Sequence, residues 1–187
     1  MERGHVPEEE THQSCAVKID RDDWLSEVLY YDVFRVSPGS SEDWRCTVRP
    51  ADLELIVSHQ QRLGRSFYYA KVPTGRVDVV HALSSVGFAV VDVSVTFART
   101  PAVRCGSTLN ETVIVDDIVP TQYEAVLDIA SSSFTYSRFH LDPQIPREAA
   151  NAVKRAWIAN YINGKRGERL MVALRDEEPV GFLAVLA

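Results

Sequence analysis

The stretch "PTQYEAVLDIASSSFTYSRFHLDPQIPREAANAVKRAWIANYING", residues 120–164, decides how this chain folds. Its first part sets Tyr123, Val126, Leu127, Ala130 and Phe134 at the three- and four-residue spacing of one helix face. Its last part repeats the pattern with Ala150, Val153, Trp157 and Tyr161, and Gly164 supplies a stop. Thr121 and Glu124 have capping-box spacing at the start of the first helix. Between the helices lies "SSSFTYSRFHLDPQIP", residues 131–146, a connection dense in side chains that can hydrogen-bond, stack or carry charge.

Working outward, "TVIVDDIV" at 112–119 reads as a strand. After the helices, "RLMVALRD" and "PVGFLAVLA" read as two strands of an antiparallel hairpin separated by "EE". Residues 112–187 therefore run strand, helix, helix, strand, strand. "TPAVRCGSTLNE", residues 100–111, has no periodicity and several turn formers, and is expected to be a linker.

Residues 20–99 read as a second unit of order β-α-β-α-β. A strand is expected in "LSEVLYYDVFRV" and a loop in "SPGSSED". "PADLELIVSHQQRLG" places Leu53, Ile56, Val57, Gln60 and Leu63 at helical spacing, with Pro50 in the first turn and Gly64 past the last. "SFYYAKV" follows as a strand and "RVDVVHALSSVG" as a helix with Val77, Val80 and Leu83 on one face. "FAVVDVSVTFAR" alternates cleanly, with Ala89, Val91, Val93, Val95 and Phe97 on one side, and is the strongest strand signal in the chain. Residues 1–19 are charged and aperiodic, and are expected to form a mobile tail.

Bulk properties limit the function classes. At 187 residues and 45% hydrophobic content the chain can bury a proper core. A net charge of −6 and the lack of a dense Lys/Arg stripe argue against nucleic acid as a partner. No apolar run reaches the roughly 20 residues of a bilayer span. The start "MERGHVPEEETHQ" is acidic where a signal peptide would be basic and then apolar, so a cytoplasmic protein without membrane partners is expected. Cys15, Cys46 and Cys105 form no C-x-x-C pair, so neither a disulfide framework nor a metal site is expected.

A strand, two helices joined by a polar loop, and a hairpin resembles the opening order of the GNAT acetyltransferases. The segment from Phe134 to Pro146, followed by "VKRAWIANYINGKRG", resembles those members that act on the amine of dTDP-4-amino-4,6-dideoxygalactose and their relatives in surface-polysaccharide synthesis. Its sharpest part is Ser137-Arg138-Phe139-His140. Members of that group carry a partial GNAT-like unit before the catalytic domain, whose ending "LSSVGFAVVDVSVTF" resembles. The resemblance spans residues 24–187. It implies an α/β fold, a GNAT-like mixed sheet flanked by helices, with a partial GNAT-like unit at 20–99 and a C-terminally incomplete GNAT domain at 112–187.

The implied reaction is transfer of acetyl from acetyl-CoA, a co-substrate, to a nucleotide-linked amino sugar. The resemblance also implies where the missing parts belong. Pyrophosphate of CoA is held on backbone N–H groups of a Q/R-x-x-G-x-G/A turn at a helix N-terminus. That turn, and the tyrosine that protonates the leaving thiolate, correspond to sequence past residue 187. No catalytic or cofactor-binding residue is therefore assigned, and a chain of these residues is expected to lack a complete CoA site. "QRLGRS", residues 61–66, nearly matches the turn, but Gly64 there reads as the cap of a helix C-terminus, where the dipole repels anions.

Four residues are candidates for substrate contact: Arg138, His140, Tyr136 and Tyr161. The planar fork of Arg138 suits a pyrophosphate oxygen pair, or else bridges loop carbonyls or Asp142. The imidazole of His140 could take an amine proton or bind a sugar hydroxyl, or simply anchor the loop. Phe139 and Trp157 are expected in the core, while Tyr161 could serve either role. Asp116 and Asp117 are strand neighbours that point to opposite faces and cannot form a dyad. "KRGERL", 165–170, is expected to be a solvated turn. Expected partners are a nucleotide-sugar small molecule and, for assembly, a second copy of the chain in a homodimer. The competing reading is a non-catalytic GNAT-like module that binds a sugar nucleotide or a protein.

Overall fold

A computed structural model describes residues 16–39, 44, 47–98 and 113–186. The chain divides into two compact units, Met1–Val90 and Val91–Ala187, each a mixed α/β structure around a three-stranded sheet. The three cysteines, most of the expected tail and the whole expected linker lie outside the described residues.

The first unit opens with β1 (Val17–Arg21), α1 (Asp23–Leu29) and β2 (Asp32–Pro38). Two expectations change here. Residues 17–19, read as tail, belong to β1, and the strand expected over 25–36 is a helix followed by a strand. Asp22 explains the difference: its carboxylate accepts the Leu25 N–H at 3.0 Å as an N-cap and also takes the Tyr69 hydroxyl at 2.9 Å. The cap starts a helix that buries Leu25, Ser26 and Leu29, and local capping outweighs the strand preference of the β-branched and aromatic residues. Tyr30, in the left-handed region at φ 60°, ends it.

The helix α2 (Pro50–Leu63), β3 (Ser66–Ala70) and α3 (Val77–Ser85) follow where the sequence pattern puts them. β1 pairs antiparallel with β2, and β2 pairs parallel with β3, so β2 is central. Val17, Val36, Trp44, Ile56, Val79 and Leu83 form the core. On α3 the buried residues are Val79 and Leu83, while Val77, expected on the inner face, is exposed. Trp44 is fixed by its indole N–H donating to the Lys71 carbonyl at 2.6 Å.

Asp52 is the most informative polar group of this unit, being only 3% exposed. Its carboxylate accepts the Arg49 N–H at 2.9 Å and the Val17 N–H at 3.3 Å, joining the start of α2 to β1. Burial pushes the carboxyl up, but the hydrogen bonds from Arg49 and Val17 outweigh it and hold Asp52 below the ordinary carboxylate value.

Residues 88–98 form neither helix nor sheet, which corrects the strongest strand expectation. Val93, Val95 and Phe97 are exposed. Alternation records a face suited to burial, but a strand exists only when a neighbour completes its hydrogen bonds, and among the described residues no strand pairs with this segment.

The second unit consists of β4 (Ile114–Asp117), a 3-10 turn at Pro120–Gln122, α4 (Tyr123–Ser132), the short α5 (Arg138–Leu141), α6 (Arg147–Ile162), β5 (Arg169–Arg175) and β6 (Glu178–Val185). The 3-10 turn that leads into α4 is closed by Gln122, whose side-chain oxygen accepts the Val119 N–H at 3.0 Å, and α4 itself has no side-chain cap, so the expected Thr121 and Glu124 capping box does not form. Both β4–β5 and β5–β6 are antiparallel, giving the order β4-β5-β6. The hairpin turn is Asp176-Glu177, one residue earlier than expected, and both residues have positive φ (51° and 68°), as the twist of a two-residue hairpin demands.

Val126, Ala130, Ile158, Tyr161, Leu170 and Val172 form the core between the helices and the sheet. Each fully buried Val or Ile side chain among them contributes about 1.5–3 kcal/mol. Arg155 of α6 ties the outer surface of α4 through Glu124 and Asp128 at 2.6 and 2.8 Å. No described helix is long and apolar enough to cross a membrane.

Candidate functional site

The connection between α4 and α6 is ordered by its own side chains. Ser137 adopts extended backbone and accepts the N–H groups of His140 and Leu141 at 2.8 and 3.0 Å on its carbonyl, which starts the single turn α5. Asp142 then accepts the Gln144 N–H at 2.9 Å, an Asx turn that redirects the chain through Pro143 toward α6. Phe139 and Ile145 bury their side chains beneath the loop.

His140 is held from both sides of its ring. Its Nδ1 lies 2.7 Å from the Ser137 hydroxyl and its Nε2 lies 2.9 Å from Oδ1 of Asn151 on α6. The amide oxygen can only accept, so this network assigns the proton to Nε2, and Nδ1 then accepts from Ser137. The histidine thus pins the loop to the helix, and both nitrogens are engaged.

One cation escaped the sequence reading. Lys154 of α6 is only 8% exposed, and its Nζ lies 4.6 Å from the centre of the Phe134 ring, 5.0 Å from Trp157 and 5.9 Å from Phe139. The guanidinium of Arg138 lies 4.7 Å from the centre of that same Phe139 ring. Burial, and then the positive charge of Arg138, push the ammonium below its ordinary pKa. A signal for Lys154 did exist. It lies four residues after Ala150 and three before Trp157, on the face the apolar pattern assigns to the interior.

The other candidates divide. Tyr136 is 87% exposed at the tip of the connection, and Arg138 and His140 are half-buried within it. Tyr161 is a core residue: it packs edge-on against Trp157 with ring centres 6.4 Å apart and lies directly under Gly167. Arg138, His140 and the caged Lys154 thus gather around the connection, Tyr136 stands out from it, and Tyr161 faces the sheet.

The rejected phosphate turn is a helix end as expected, since α2 stops at Leu63 and Gly64 has φ 69°. Asp116 and Asp117 are exposed, and Asp117 pairs with Arg169, whose guanidinium holds the carboxyl below its ordinary range. Among the described residues no three His, Cys, Asp or Glu side chains converge as a metal site. The site therefore offers positive charge and aromatic surface, suited to recognition of an anion.

No family model matches the chain. It is 37% identical over 68 residues to the spore coat polysaccharide biosynthesis protein SpsD of Bacillus subtilis (strain 168). That likeness covers 36% of this chain and 23% of SpsD, so the chain spans about a quarter of the length of that relative.

Proposed function

We propose that this chain belongs to an acetyl-CoA-dependent N-acetyltransferase that acts on the amino group of a nucleotide-linked amino sugar, of the dTDP-4-amino-4,6-dideoxyhexose type, in surface-polysaccharide synthesis. The observation that carries this reading is the partial likeness to a spore coat polysaccharide biosynthesis protein. The second unit supports it, because its strand, helices and antiparallel hairpin follow the order in which a GNAT domain begins.

In the proposed reaction the neutral sugar amine attacks the thioester carbonyl carbon, the C–S bond breaks, and the CoA thiolate leaves and is protonated. The new amide nitrogen gives up one proton. Most of the acceleration comes from holding amine and thioester together and from hydrogen bonds to the developing oxyanion. The α4–α6 connection serves as one wall of the acceptor pocket. Arg138 meets the nucleotide diphosphate, Tyr136 closes over the ligand, and His140 acts by holding the wall in place.

A second reading, a non-catalytic module that binds the sugar nucleotide, is favoured by one observation. Both His140 nitrogens are engaged within the protein, which leaves the connection equipped for recognition rather than proton transfer. Calorimetric titration separates the two. Heat on adding acetyl-CoA to the product of the full reading frame supports the transferase; a dTDP-sugar that binds where millimolar acetyl-CoA gives no heat sinks it and leaves the module.

A further inference from the structure

We propose that Lys154, together with Arg138, forms the subsite that receives the diphosphate of the ligand; the identity of that ligand as a nucleotide sugar rests on the reading above. Lys154 is only 8% exposed, and the hydration its ammonium gives up there is unfavourable to lose unless an opposite charge replaces it. Among the described residues no carboxylate lies within 4 Å of it. The charge beside it has the same sign: Lys154 and Arg138 lie against one ring, 5.9 and 4.7 Å from the centre of Phe139.

The aromatic cage offsets part of this cost, because ring faces attract cations. It does not supply acceptors for the three N–H bonds of an ammonium. No described side-chain nitrogen or oxygen is both sealed from the surface and without a hydrogen-bond partner, so the Lys154 ammonium keeps an open side. An anion that enters there gains charge-assisted hydrogen bonds from the Lys154 ammonium.

The shape of the pair selects the anion. A carboxylate neutralises one cation, whereas two linked phosphates can meet a compact ammonium and a planar fork at once. The rings of Phe134 and Trp157 beside Nζ add apolar surface on which a base or sugar face can stack. Lys154 is thus a recognition residue placed by α6, and the loop brings Arg138 to it.

The test is calorimetry with dTDP as the probe and thymidine as the uncharged control, on the intact chain. Wild type is expected to bind dTDP, more weakly as salt rises, with no measurable binding of thymidine. Lys154→Met keeps the stem in the cage and is expected to weaken dTDP roughly 10- to 100-fold, with Lys154→Arg close to wild type. Arg138→Gln, on the loop, tests the same subsite should the helix variant fail to fold, and is expected to weaken binding about 10-fold or more. No binding of dTDP to wild type, or equal binding by wild type and a folded variant, overturns the subsite. Binding that depends on Lys154 in a protein that never transfers acetyl leaves the subsite standing and removes only the transferase.

Discussion

His140 on the α4–α6 connection and Asn151 on α6 are joined by a hydrogen bond of 2.9 Å, the link through which the loop is fixed to the helix that carries Lys154. The Ser137 hydroxyl completes the link on the other side of the ring. Replacing Asn151 by Ala leaves the Nε2 proton without its acceptor and is expected to cost about 1–2 kcal/mol in chemical denaturation of this unit. Amide exchange should quicken over residues 137–145 and stay unchanged in β1–β3. Unaltered exchange in the loop would show that the histidine does not hold it.

Asp52 gives the first unit a pH dependence whose sign is fixed. Its folded pKa lies below the unfolded value of about 3.9, so the unfolded chain binds the proton first. The contribution is complete above that value and is lost as pH falls through the lowered folded pKa. Asp52→Asn should flatten this acid limb, and Asp52→Ala, which strands the N–H groups of Val17 and Arg49, should destabilise by about 1–3 kcal/mol at neutral pH. Melting curves followed between pH 2 and pH 7 decide; an acid limb identical to wild type in Asp52→Asn contradicts the assignment.

Gly167 and Gly164 provide a matched pair. Both have positive φ, 74° and 65°, but a Cβ on Gly167 would run into Cε1 of Tyr161 while one on Gly164 meets nothing within 4 Å. Gly164→Ala is expected to cost about 1–2 kcal/mol for its backbone alone. Gly167→Ala adds overpacking against a core ring, about 1–3 kcal/mol more. Equal costs in urea titration would mean that the Tyr161 ring is not seated under the β5 approach.

The β5–β6 turn carries two non-glycine residues at positive φ, Asp176 and Glu177. Glu177→Gly removes the Cβ penalty where the left-handed conformation is required, and Asp176→Asn supplies a residue that tolerates it. The double variant is expected to raise stability by about 0.5–1 kcal/mol. A fall in melting temperature would contradict the turn geometry.

The second unit was legible because its helices and hairpin are long and patterned. Ala150, Val153 and Tyr161 on α6 and Val126 and Ala130 on α4 are buried as their spacing implies. The first unit was less so, because α1 is set by a single cap at Asp22 within a run rich in strand-forming residues. At 88–98 the alternation was real but the pairing was not, since periodicity describes a face and says nothing of a neighbour. Arg138 and His140 stood out in the sequence as polar residues of the connection, and both lie half-buried within it. Lys154 was hidden by its residue type, for a lysine on a helix is ordinarily solvated, and its burial arises from rings at positions 134, 139 and 157 that only the folded chain brings together.

The most direct measurement of the central claim is mass spectrometry of dTDP-4-amino-4,6-dideoxyhexoses incubated with acetyl-CoA and the product of the full reading frame. The sugar nucleotide is expected to gain one acetyl group on its amine with release of free CoA, at a rate that depends on protein and falls in Lys154→Met through a higher KM. Unchanged sugar nucleotide under conditions where the protein binds both ligands would contradict it.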